Sequence, residues 1–249
     1  MLFRQLFERL SCTYTYLLGC EETGQAVLVD PVVNMMERDL ALLRELGLKL
    51  AWTLDTHIHA DHITAALHLK EQIGSRIASP GMDGLSCADH FLEDKVPFEV
   101  GSVRIEPLHT PGHTDSHFCY ALADRVLTGD ALLIDACGRT DFQNGDARTL
   151  YRSVRERLFA LPDDCLVYPG HDYNHRHVST IGQERERNPR LGGNRTVEDF
   201  VSLMAGLNLP YPRFIDYAVP GNRRCGVCPT DLPENMKAYC HSMTLSPQG

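Results

Sequence analysis

Three imidazoles and a carboxylate fall within six consecutive positions of this chain, at His57, His59, Asp61 and His62, directly after the apolar run 51–54. Packing alone does not account for a cluster of that density. A strand that ends in a loop lets alternating side chains converge on one point, and neutral imidazoles with carboxylates form a donor set suited to divalent zinc, iron or manganese. Three further stretches of the same chemical type follow: His109-Thr110-Pro111-Gly112-His113-Thr114, Thr128-Gly129-Asp130 and Pro169-Gly170-His171-Asp172. Each stands after an expected strand and carries a glycine just before its candidate donor. Loops gathered at one sheet edge can therefore aim these side chains into a shared cleft.

Around those loops the hydrophobic pattern switches between two periods. Residues 12–18 and 25–29 are rich in β-branched, aromatic and aliphatic side chains and flank a turn-like stretch at 19–24, which predicts a β-hairpin. Met36, Leu40, Leu43 and Leu46 then recur at helical spacing ahead of Gly47, and residues 50–54 predict another strand. A second helix is expected over 61–74, strands over 76–78, 103–108, 118–123, 125–127 and 165–168, and helices over 148–159 and 197–207. Strand pairs mixed with helices argue for sheet layers covered by helices. Beyond His175, prolines at 210, 212, 220, 229 and 233 restrict long elements. Residues 175–249 are expected to wrap the core of a single domain spanning 1–249.

Thirty-three acidic against 24 basic residues leave a formal charge of -9, which repels polyanions and excludes nucleic acid as an expected partner. Arg4, Glu8 and Arg9 interrupt the apolar start, and no run of about 18 apolar residues occurs, so neither secretion nor membrane spanning is expected. Leu2, Phe3, Leu6, Phe7 and Leu10 form a short amphipathic start that leaves organelle import open. The nine cysteines are scattered singly except for Cys225 and Cys228, a pattern that predicts reduced thiols and a cytoplasmic address. Cys225 and Cys228 lack the nearby partners of a structural zinc site. His90, His175, His177 and His241 receive no functional role.

Taken together, the four His/Asp motifs resemble those of the metallo-β-lactamase superfamily. That resemblance implies an α/β fold, an αββα sandwich of two mixed sheets flanked by helices, with metal at one sheet edge. The fold hosts several chemistries, so it leaves the reaction open. Cys137-Gly138-Arg139-Thr140-Asp141-Phe142-Gln143, with Asn188-Pro189-Arg190 and residues 216–226, is similar to the persulfide dioxygenase (ethylmalonic encephalopathy protein) family, and the match extends over nearly the whole chain. It implies one Fe(II) per chain on the catalytic residues His57, His113 and Asp130, a two-histidine, one-carboxylate face with three positions left for substrate and oxygen. The reaction implied is oxidation of glutathione persulfide by O2 and water to sulfite and glutathione.

On the same resemblance, His59, Asp61, His62, His171 and Asp172 orient the ligands and handle protons. Arg139 and Tyr173 match positions beside the glutathione site, and Arg213 is a candidate second clamp for a carboxylate. No membrane partner is implied, and a homodimer is left open. The alternative is a glyoxalase II-like hydrolase in which seven donors hold two metals and a bridging hydroxide attacks S-lactoylglutathione.

Overall fold

Along residues 13–20, alternate side chains serve different cores: Tyr14, Tyr16, Leu18 and Cys20 pack between two sheets, whereas Leu17 packs on the opposite face. Residues 25–29 repeat the pattern, with Val27 and Val29 facing inward and Ala26 and Leu28 outward. Strands buried on both faces need cover on both, and helices supply it.

A computed structural model describes residues 1–240. The first sheet contains, in spatial order, β1 (Leu2–Glu8), β2 (Thr13–Cys20), β3 (Gln25–Val29), β4 (Lys49–Leu54), β5 (Arg76–Pro80) and β6 (His90–Leu92). It is antiparallel as far as β3 and parallel from β3 to β6. The second sheet contains β7 (Phe98–Val100), β8 (Val103–His109), β9 (Phe118–Ala121), β10 (Arg125–Gly129), β11 (Leu166–Pro169) and β12 (Ser179–Thr180), also in linear order. Only its β10 and β11 run parallel.

The helices are α1 (Met36–Glu45), α2 (Ala66–Ile73), α3 (Ala147–Ser153), α4 (Ile181–Arg187), α5 (Val197–Ala205) and α6 (Ile215–Asn222). Leu40 and Leu43 of α1, Leu69 of α2 and Ala218 of α6 pack on the outer face of the first sheet. Leu150 of α3, Ile181 of α4, and Phe200 and Met204 of α5 cover the second. The architecture is the expected αββα sandwich.

Two local expectations are corrected, and the amphipathic start is placed. The helix expected from residue 61 begins at Ala66, because the backbone before it is engaged across the chain: Val33 N–H donates to the Ile63 carbonyl and Ala65 N–H to that of Pro31. Donor-bearing residues 61 and 62 thus remain in an irregular loop. The amphipathic start is β1, whose Phe3 and Phe7 pack against the inter-sheet core. Finally, not all thiols are reduced, since Cys87 and Cys225 form a disulfide across 138 residues of sequence. A pairing that distant leaves no trace in local cysteine spacing. His241 lies outside the described residues.

Candidate metal centre

The motif loops leave the sheets at neighbouring strand ends. β4 hands over to residues 55–65, β8 to the turn bearing His113, β10 to Asp130 and β11 to His171. The turn at Gly129 has φ +47°, and a Cβ there would lie 2.6 Å from His117 Nε2 and 2.8 Å from Thr56 Oγ1. Glycine is what allows Asp130 to enter the site against these two groups.

His57, His113 and Asp130 each offer a donor atom, all within 4.8 Å of one another. Their hydrogen bonds aim those atoms. Thr56 Oγ1 donates to Asp30 Oδ2 at 3.0 Å, so the 3.0 Å contact between His57 Nδ1 and Thr56 Oγ1 makes Nδ1 the protonated nitrogen and leaves Nε2 a bare lone pair. His113 Nδ1 donates to the Arg139 carbonyl at 2.7 Å, which frees its Nε2, 3.6 Å from Asp130 Oδ2. Burial, with His59, His113 and His117 nearby, holds His57 well below the ordinary histidine range. Burial alone would raise Asp130, but His171 and His113 outweigh it and hold the carboxyl below its usual value. Neutral imidazole and ionised carboxylate are the forms a metal ion accepts.

The remaining expected donors behave differently. Asp61 Oδ2 accepts from His62 Nδ1 at 2.9 Å, His171 Nε2 at 3.0 Å and Thr13 Oγ1 at 3.0 Å. His171 Nδ1 donates to Asp130 Oδ1 at 2.7 Å, so both its nitrogens are engaged by carboxylates. Opposing burial, Asp130 and Asp61 raise His171 well above its ordinary pKa. His59 Nε2 donates to Asp30 Oδ1 at 3.0 Å; burial lowers this imidazole, but Asp30 and Asp55 carry it up to about 9. His59 Nδ1 and His62 Nε2 are buried without a partner, and His59, Asp61 and His62 also bring donor atoms within 4.8 Å of one another.

Asp172 touches none of these groups. It accepts the backbone N–H groups of Asn174, Arg176 and His177 and the Tyr14 hydroxyl, and so shapes the loop that presents Tyr173. Tyr173 is 65% exposed, and its ring stacks on His171 at 5.7 Å. It lines a cleft of about 750 Å³ with the three candidate ligands and Arg139, Arg190 and Arg213. Arg139 donates Nε and Nη2 to Asp141, each at 2.7 Å, and Nη1 to the Pro210 carbonyl at 2.9 Å, which ties two walls of the cleft together. Arg213 is exposed, and Arg190 donates to the Cys137 carbonyl.

Four residues escaped the motif reading: Asp30, Thr13, Arg190 and His117. His117 is fully buried, stacks on His57 at 5.1 Å and accepts from Asp130 N–H through Nε2 at 3.1 Å. Its place four residues after His113 was a usable signal, as was the position of Asp30 at the end of β3.

A model of the metallo-β-lactamase superfamily matches residues 12–171. The human (Homo sapiens) mitochondrial persulfide dioxygenase ETHE1 is 49% identical over 230 residues, covering 91% of this chain and 89% of that protein. The crystal structure of ETHE1 from Myxococcus xanthus matches with a TM-score of 0.88 and 51% identity over 91% of this chain and 100% of that one. The chain belongs to the persulfide dioxygenase family.

A protein from Schizosaccharomyces pombe named a probable hydroxyacylglutathione hydrolase is also similar, 40% identical across 79% of this chain and 88% of that protein. Its identity and coverage are lower, so the dioxygenase reading is favoured over the hydrolase one. This persulfide dioxygenase is an oxidoreductase, and two histidines and an aspartate at the strand ends form one of the groups that could hold a metal ion. No helix of its described residues is long and apolar enough to cross a membrane. The human relative's name gives that protein a mitochondrial address, so the comparison does not support the expected cytoplasmic one.

Proposed function

We propose that this persulfide dioxygenase oxidises glutathione persulfide with one ferrous ion held by His57, His113 and Asp130. The carrying observation is the contrast in hydrogen bonding: these three keep donor atoms directed at one point, whereas Asp61 and His171 are bonded to each other. The overall change balances as persulfide plus O2 plus water giving glutathione plus sulfurous acid, which ionises to sulfite. A ferrous ion with open positions would supply the redox chemistry and bring the sulfur anion and dioxygen together.

The chain's own side chains do the rest. The Arg139 carbonyl and the Thr56 hydroxyl fix the two imidazole planes, and His171 steadies the Asp130 carboxylate. Arg213 and Arg190 give the tripeptide's carboxylates guanidinium partners, and Tyr173 borders the same opening. Leu133, Phe142 and Phe214 provide apolar walls that limit water beside the reacting sulfur. A cleft of about 750 Å³ is in the range of small-ligand sites.

Affinity order among divalent ions does not select iron over zinc, so the decisive measurement starts from anaerobically iron-loaded protein. One iron per chain is expected, with O2 consumed and sulfite formed in equal amounts from glutathione persulfide. Two metals per chain with oxygen-independent cleavage of S-lactoylglutathione would replace this reading by the hydrolase.

A further inference from the structure

The loop that carries His57, His59, Asp61 and His62 has no helix or sheet of its own to satisfy its backbone. A buried polar backbone group without a partner is costly, so each must find one elsewhere in the chain. Some partners are ordinary neighbours: Phe118 N–H reaches the Thr56 carbonyl and Val33 N–H the Ile63 carbonyl. The carbonyls of His59 and His62 are different. Both accept from the Nδ2 group of Asn222, at 2.9 and 2.8 Å, and Asn222 Oδ1 accepts the Thr64 N–H at 2.9 Å.

One side chain, about 160 positions away in sequence, thus makes three hydrogen bonds to a six-residue stretch. The amide orientation follows from the partners, because two carbonyls require the nitrogen and an N–H requires the oxygen. Asn222 is 3% exposed, ends α6 and is itself well anchored. Cys225 N–H donates to its carbonyl, the Cys225 carbonyl accepts from Leu67 N–H, and Cys225 is bonded to Cys87. Next in sequence, Gly226 passes so close that a Cβ there would stand 2.0 Å from the Thr64 carbonyl oxygen.

We propose that Asn222 is a positioning residue of the metal centre, which sets the path of the 57–64 loop and with it the aim of His57. This rests on His57 being a ligand. Asn222 touches neither the cleft nor the candidate ligands' side chains, so it acts through the loop backbone.

Cobalt(II) binding to the metal-free protein tests this without turnover. Asn222→Ala and Asn222→Asp should bind cobalt roughly 10–100-fold more weakly than wild type, the usual loss when a group supporting the ligands is removed. Their visible absorption bands should shift. In the iron-loaded enzyme, kcat should fall while KM for the persulfide stays near wild type. Should Asn222→Ala fail to fold, Asn222→Asp keeps the volume and the acceptor for Thr64 N–H, and in place of the two donated bonds it turns an oxygen toward the His59 and His62 carbonyls. Ala218→Gly supplies the structural control: it loosens the same helix at a buried position, and should lower Tm without changing cobalt affinity or spectrum. Wild-type affinity and spectrum in the Asn222 variants would overturn the proposal. So would an equal loss of affinity in Ala218→Gly. A wild-type chain that takes up no cobalt would overturn the metal reading and this inference together.

Discussion

Two groups of donors, equally conspicuous as sequence, are treated differently by the fold. His57, His113 and Asp130 come from three loops, and the hydrogen bonds behind their imidazoles leave atoms free at one point. Asp61, His62 and His171 lie alongside, yet Asp61 gathers both histidines, and Asp130 takes the second nitrogen of His171. With both nitrogens donating to carboxylates, His171 has no lone pair to offer an ion, whereas His62 keeps an unpartnered Nε2, so residue type alone does not count metals.

The largest expected effect separates these groups. His113→Ala should lose bound iron, and its turnover should fall by more than the roughly 100-fold typical of a supporting group. His62→Ala should retain one iron per chain by elemental analysis. Equal metal loss in both variants would erase the contrast and favour a two-metal site. Next comes His171→Gln, which keeps a polar side chain but cannot bridge Asp130 and Asp61. Its iron affinity should drop roughly 10–100-fold by chelator competition, with stoichiometry unchanged. A stoichiometry that falls from two to one would instead make His171 a ligand.

Much of this was legible beforehand. The density of His57 to His62, and the repeated glycine before each donor, report strand ends converging on a cleft, because both are local consequences of how a chain turns. The β-branched, aromatic and aliphatic residues of β2 and β3 around a turn-like stretch likewise announce a hairpin. The structure added what depends on distant pairings. Asp172 sits beside His171 in sequence yet points at the backbone of its own loop, and Arg139 is engaged by Asp141 and the Pro210 carbonyl. Asn222 lies in the stretch 216–226 that carries the family resemblance but no donor chemistry, yet it holds the loop of His59 and His62. The Cys87–Cys225 bond was illegible for the same reason.

His117 sharpens the contrast from behind, since it stacks on His57 and accepts from Asp130 N–H without facing the cleft. Burial, with His113 close by, lowers it to about 3. An unfolded histidine titrates near 6.5, so the stability gained by keeping this imidazole neutral is present above about pH 6.5 and is lost as pH falls toward 3. Between pH 7 and pH 5 one such group costs at most about 2 kcal/mol. Thermal melts of metal-free protein should show a smaller loss over that interval in His117→Gln than in wild type. His57 and His62 are also lowered by burial and keep part of the acid sensitivity in the variant. An unchanged pH dependence would mean that His117 does not contribute.

The smallest effect belongs to Thr13, whose buried hydroxyl joins the group of Asp61, His62 and His171. It donates to Asp61 Oδ2 and stands 3.1 Å from His171 Nε2, while both of those atoms keep other partners. Thr13→Val conserves shape and removes one hydroxyl. The expected cost is about 1 kcal/mol in denaturant unfolding of the metal-free protein, the net value of one hydrogen bond whose partners remain satisfied. Iron affinity should change less than in His171→Gln, because Asp61 still holds both histidines. If Thr13→Val lost iron as severely as His113→Ala, the inward group would be sharing the ion, and hydrogen-bond partners would no longer distinguish ligand from neighbour.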